Sequence, residues 1–394
     1  MKGKGSDEFT RAKRRQEFEL LSRGLRAERE AAGMKVELLL RRTPVADWPQ
    51  LVENPDLRSC GALERLARIA GDAHTRDPKY ALAVAELAVT IAESIPDYAY
   101  PGVIGAHIRG YAWKDLGKSL RLLGRYEEAL HALHMAEKRI RKPGFLAHDL
   151  AVVQVNIAVV LQETSQYDQS LALLKKCRKV FRRYGDTESL LQTGLLQGLC
   201  LQRLHMHREA RETYLLLLAS TRNISKENRA ALHHAIGMSS IDLGEFIEAE
   251  ANLSRAIAIH RELGQPINAL KTEFGRGKLF LQRGDFALAV THLRPVRRGF
   301  LSNALSEEAG LCGLVIVEAL LVLERAGEAE QLARKIVHEF TIAALNTRAI
   351  TALSYLTEAI VARKASASMA HEVHEYILSL RTRPEREFIM GQPA

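Results

Sequence analysis

The chain has 394 residues, 47% of them apolar and 26% charged, with 11 prolines and a net charge of +9. Such a composition can bury a core and excludes a wholly disordered chain, while its scarce proline and few β-branched runs favour helix over sheet. Cys60, Cys177, Cys200 and Cys312 fall without any C-x-x-C spacing and no apolar signal segment follows the basic opening, so reduced thiols and a cytoplasmic protein are expected.

Residues 1–50 read as a basic N-terminal helical segment, with 12 Lys/Arg against 7 Asp/Glu in the first 45. A solvated helix accounts for this charge, and an anion-binding arm is the sharper alternative. Pro44 and the pair Trp48-Pro49 interrupt any recognition helix that a helix-turn-helix reading of residues 21–40 would need. Residues 51–100 read as a degenerate leading repeat. In it Asp77-Pro78 makes an N-cap with proline in the first turn, opening Ala81-x-x-x-Ala85-x-x-Ala88.

Residues 101–305 carry one six-residue phrase five times: Gly124-Arg-Tyr126-x-x-Ala129, Ser165-Gln-Tyr167-x-x-Ser170, His205-Met-His207-x-x-Ala210, Gly244-Glu-Phe246-x-x-Ala249 and Gly284-Asp-Phe286-x-x-Ala289. The final residues are 41, 40, 39 and 40 apart, the mark of an internal array. Twelve residues before each stands Gly117, Ala158, Gly198, Gly237 or Gly277, and four after it Leu133, Leu174, Tyr214, Leu253 or Leu293. These spacings predict two antiparallel helices whose close approach needs small residues, stacked on neighbours because one hairpin leaves its apolar faces wet. Gly185 and Gly264 are expected to end second helices in the left-handed conformation, and Pro295 to end or kink one.

Residues 306–343 read as a degenerate trailing repeat with its turn at Gly327. The apolar run 309–323 carries Glu318 and is shorter than the roughly 18 to 20 residues that span a bilayer, so it reads as a buried helix. Residues 344–394 read as capping helices, broken at 365–368, and a tail.

The phrase and its surroundings resemble the tetratricopeptide repeat family, most closely in Trp113-x-x-Leu116-Gly117-x-x-Leu120 followed by Gly124, Tyr126, Ala129, Leu133 and Ala136. The period of about 40 resembles the longer repeats of kinesin light chains and of bacterial peptide-binding regulators; from residue 54 on, the chain also resembles a group of bacterial tetratricopeptide proteins. The resemblance implies an all-α, right-handed superhelical solenoid of antiparallel helix pairs. It also implies that first helices line a concave groove. The groove positions are then Tyr111, Lys114, Lys118 and Arg121, then Val155, Asn156, Val159 and Gln162, then Leu195, Leu199 and Arg203, then His234 and Met238, and finally Phe274 and Lys278. A groove that begins basic and continues apolar suits a protein or peptide partner with an acidic end.

A second surface collects cations at the ends of second helices: Arg139, Arg141 and Lys142, then Arg178, Lys179, Arg182 and Arg183. They complement helix macrodipoles, or else form an anion patch for nucleic acid, although no aromatic residues are interleaved for base stacking. No P-loop, dinucleotide fingerprint, H-E-x-x-H or nucleophile elbow occurs, and the His131/His134 pair lacks companion ligands. No catalytic residue, metal site, cofactor or membrane span is expected. The reading is therefore a protein-binding scaffold, adaptor or regulatory sensor, with a nucleic-acid-associated regulator as the alternative.

Overall fold

The computed structural model describes the backbone of residues 4–74, 76–141, 146–220, 224–381 and 383–389, and the side chains among these from residue 19 onward, residue 220 excepted. The described residues form helices and turns without a strand. They fall into two compact units, residues 1–161 with 172–189, and residues 162–171 with 190–394.

The first unit opens with α1 (Lys4–Arg42), followed by two 3-10 segments (Val45–Glu53 and Pro55–Leu57), α2 (Cys60–Ala73), α3 (Pro78–Ser94), α4 (Gly102–Leu122) and α5 (Tyr126–Arg141). It also holds most of α6 (Ala147–Glu163) and of α7 (Tyr167–Tyr184). The second unit holds nearly all of α8 (Thr187–Arg203), then α9 (His207–Ser220), α10 (Lys226–Asp242), α11 (Phe246–Glu262), α12 (Pro266–Arg283), α13 (Phe286–Ser302), α14 (Ser306–Val322), α15 (Ala326–Ile342), α16 (Thr347–Val361) and α17 (Ala367–Leu380).

Local sequence explains where these helices start and stop. Asp77 accepts from the Tyr80 amide at 3.0 Å ahead of Pro78, and Ser59, Ser225 and Ser366 cap α2, α10 and α17 in the same way, each cap worth about 1 kcal/mol. From α4 onward the turn inside each pair passes through one left-handed residue: Gly124, Gly244 and Gly284 at φ 74°, 74° and 87°. That residue lets the next amide reach back to an orphan carbonyl, as Arg125 N does to Leu120 O at 3.0 Å and Asp285 N to Phe280 O at 2.9 Å. Gly185 (φ 68°) and Gly264 (φ 64°) do end second helices in the left-handed conformation. Ser165, His205, Glu324 and Arg363 take positive φ in the remaining pair turns without being glycine, at a cost of roughly 1 kcal/mol each.

Two expectations are corrected. The turn of residues 306–343 lies at Glu324 (φ 57°), and Gly327 sits inside α15. Glu324 precedes the fully buried Ala329 by the same offset as Gly124 precedes Ala129, so the packing of the small residue sets the register and glycine does not. Pro295 does not end its helix, for α13 runs through it to Ser302.

Within pairs, each small residue admits the apolar side chain of the facing helix. A Cβ on Gly117 would stand 2.7 Å from Leu133 Cγ and 3.1 Å from Ala129 O, and one on Gly237 would stand 2.7 Å from Leu253 Cγ. Gly198 and Gly277 receive Tyr214 and Leu293 in the same manner. The glycine therefore makes room for the residue at plus four, over the backbone of the small residue itself. Gly61 serves another contact, where α1 crosses α2 with the Glu28 backbone against it.

The run 309–323 is indeed a buried helix: Ala309 through Val317, Ala319 and Leu320 of α14 are all buried. Two faces are covered by α13 and α15, and α17 packs on another. Arg381 meets Glu307 at 2.6 Å while His371 meets Glu318 at 3.6 Å, so α17 runs antiparallel to α14, with Ala370, Val373, Ile377 and Leu380 buried.

Candidate binding face

In each unit the first helices of successive pairs are neighbours, α2 with α4 and α10 with α12 with α14. Their outward residues form the face on which the sequence places partner contacts. In the first unit Tyr111 is half-buried, its ring stacked 4.2 Å from His107 and its hydroxyl donating to Asp149 Oδ1 at 3.2 Å. His107 Nδ1 lies 2.9 Å from Asp149 Oδ2, tying α4 to α6. Burial works to raise the Asp149 carboxyl, but the hydrogen bonds from His107 and Tyr111 outweigh it and hold it below the usual carboxylate range.

Lys114 sits over the Tyr111 ring, 4.3 Å from its centroid, and pairs with Asp115 at 2.9 Å. The basic start of this face is thus partly neutralised by its own helix, which composition alone could not show. Lys118 and Arg121 are half-buried one and two turns on. Val155 and Val159 are half-buried on α6, and the Asn156 amide folds back on its own helix, donating to Val152 O at 2.9 Å. Trp113 belongs to the packing behind the face, its indole donating to Glu93 at 2.7 Å.

In the second unit Gln162 is not exposed. It is buried, its amide donating to Leu196 O at 3.2 Å, Ser170 Oγ at 3.3 Å and Cys200 Sγ at 3.1 Å. A polar side chain in a first helix reads as outward until its partners across the fold are known. Leu195 is half-buried, and Leu199, 39% exposed, opens to solvent beside exposed Arg203. Met238 instead fills the gap between α10 and α12, its sulfur 2.8 Å from where a Cβ on Gly275 would stand. His234 joins it, with Nδ1 3.2 Å from Thr272 Oγ1, and burial pushes this histidine down to about 4. Phe274 packs edge-on against Phe300 with centroids 6.3 Å apart, and Lys278 caps its ring at 5.2 Å. Burial lowers the Lys278 amine, against the pull of Glu375, Asp242 and Glu318 on α17, α10 and α14. Sequence reasoning missed Glu375 because nothing local announces that α17 folds back onto α14.

The basic second surface is largely spoken for on α5. Arg139 makes paired bonds to Glu93 at 2.8 and 3.0 Å, and Arg141 reaches Glu137 at 3.3 Å. Lys142 lies outside the described residues. On α7, Lys179, Arg182 and Arg183 are exposed, whereas Arg178 is half-buried and its guanidinium lowered by burial and by Arg182. All four cysteines are buried and free, and burial pushes the Cys177 and Cys312 thiols up to about 12. No helix of the described residues is long and apolar enough to cross a membrane, and no three of their His, Cys, Asp or Glu residues are grouped to hold a metal ion.

Residues 149–223 match the tetratricopeptide repeat family. No curated protein matches the chain. Among solved structures it is similar to a signal transduction ATPase with numerous domains carrying a tetratricopeptide repeat sensor, from Pyrococcus horikoshii, at 13% identity over 91% of this chain and 53% of that one, with a TM-score of 0.58. It is also similar to aspartyl phosphate phosphatase F from Bacillus subtilis, at 12% identity over 85% of this chain and 89% of that one (TM-score 0.55). A third likeness is to a Rap protein solved in complex with Competence and Sporulation Factor, at 14% identity over 90% of this chain and the whole of the other (TM-score 0.50). At such identities the likeness is one of fold. The chain thus contains tetratricopeptide repeats at residues 149–223, within an array of about 40-residue helix pairs closed by the same small-residue contact on both sides of that stretch.

Proposed function

We propose that this protein is a non-enzymatic scaffold, adaptor or regulatory sensor that takes a peptide or protein partner on its first-helix face. The observation that carries this is the division of labour among first-helix side chains. Met238, His234 and Phe274 are committed to packing, whereas Leu199 and Arg203 are exposed and Lys118 and the Tyr111–Lys114 stack are half-buried at the surface of helices whose backbones are fixed from behind. A rigid helical platform offering separated apolar and polar contacts binds extended or helical segments without paying to order itself. The Rap protein of similar fold was solved with a bound factor, and the archaeal protein's repeats are described as a sensor. Both uses fit a face of this kind. Four buried free thiols suit the cytoplasm as the place of action.

The test is affinity recovery with the full chain, partners being identified by mass spectrometry and compared with the Lys118→Ala and Leu199→Glu variants. A partner held by the wild type and lost from either variant supports the proposal. A partner recovered equally by all three excludes the first-helix face.

A further inference from the structure

Between α2 and α4, over α3, lies a cavity of ≈ 80 Å³ opening on the first-helix face. Its floor is apolar, made by Ala70, Ala85, Ala88 and Ala112 with Leu66 and Ile108. A leucine or isoleucine at any one of those four alanines would occupy the space. The corresponding crevice between α10 and α12 is plugged in this way, Met238 and His234 seating against Gly275. In a measure where one water takes roughly 10–15 Å³ and an engineered apolar cavity of about 150 Å³ accepts benzene, this space suits a branched aliphatic side chain and offers water few partners.

The mouth is polar and net acidic. Glu64 lines it from α2, and His107, Tyr111 and Asp115 line it from α4. Glu64 is clamped by Arg29 at 2.6 and 2.7 Å, and Asp115 pairs with Lys114 at 2.9 Å. Of the Asp, Glu, Lys and Arg side chains, those that line the cavity are Glu64 and Asp115, both carboxylates. A positive charge entering beside the cavity would be drawn to the rim, and a negative one opposed.

We propose that this cavity is the anchor pocket of the partner site, taking a Leu, Ile or Val side chain of a peptide that carries Lys or Arg next to it. This deepens the reading that the first-helix face binds a peptide, and rests on it. The basic neighbour lies over the rim at Asp115, and the aliphatic group displaces whatever water the pocket holds.

The experiment is selection of short random peptides displayed against the full wild-type chain, followed by titration of the enriched peptides against Ala67→Leu, Ala112→Val and Asp115→Asn. Ala67 is half-buried at the mouth, so its replacement blocks entry without loading the core, should Ala112→Val fail to fold. The expected consensus is an aliphatic residue beside Lys or Arg. Binding should weaken about 30-fold in either filled variant, as for an interface anchor, and the preference for Lys or Arg should fade in Asp115→Asn. Peptides that bind the filled variants as tightly as the wild type, or a consensus with an acidic neighbour, overturn the pocket while leaving the first-helix face standing. Failure to enrich any peptide counts against both.

Discussion

The crevice between α2 and α4 and the crevice between α10 and α12 arise from the same stacking of first helices, and they end differently. In the second unit Met238 and His234 close the gap over Gly275; in the first, alanines leave it open beneath an acidic rim. Within pairs the two units are alike, since Gly117 receives Leu133 just as Gly277 receives Leu293. The lesson is that contacts inside a hairpin are fixed by the repeat, whereas contacts between hairpins vary, and variation there costs stability or creates a site.

The largest effects test the shared part. Leu133→Ala and Leu293→Ala each remove a fully buried side chain from a glycine-shaped slot, and each should cost about 2–5 kcal/mol in denaturant unfolding. Values far apart would break the claim that both units close their pairs alike.

Acid should then loosen the second unit at His234. His234 is held neutral, near 4 against an ordinary value of 6.5. The unfolded chain takes up its proton first, so this contribution is fully present above pH 6.5 and is lost as pH falls from 6.5 towards 4, up to about 3 kcal/mol in all. Protection factors in α10 to α12, with the intrinsic pH dependence of amide exchange divided out, should fall across that window, and His234→Gln should flatten the response.

A smaller contrast concerns filling. Met238→Ala should cost about 1–3 kcal/mol by opening in the second unit what the first already has. Ala112→Val, which grows into open space, should shift stability by less than about 1 kcal/mol. Thermal unfolding that ranks these two the other way would mean that the cavity is not there to fill. The smallest effects belong to Lys118→Ala and Leu199→Glu, expected within about 0.5 kcal/mol of wild type, so that any loss of partner is a loss of contact.

Much of the fold was legible because it is local. The turn glycines, the proline-led cap at Asp77 and the small residues with their apolar partners at plus four all act within one hairpin, and repetition makes such signals visible. Glu324 was misread because a nearby glycine looked like the better turn residue, although the position of Ala329 had already fixed the register. The candidate face was less legible. Its positions follow from register, but whether Gln162 turns inward, whether Lys114 spends its charge on Asp115, and whether Met238 plugs a crevice depend on neighbours roughly one repeat away or on rotamers. The fold-back of α17 onto α14 is longer in range still, and only the all-round apolar character of α14 hinted that a further helix must cover it.

The most direct measurement is hydrogen exchange on the full chain with and without a recovered or selected partner, followed peptide by peptide. Slowed exchange confined to the first helices, around Tyr111 to Arg121 on α4 or Leu195 to Arg203 on α8, is the predicted result. Protection on second helices instead, around the exposed Leu216 of α9 or Ile247 of α11, with the first helices unchanged, would contradict it.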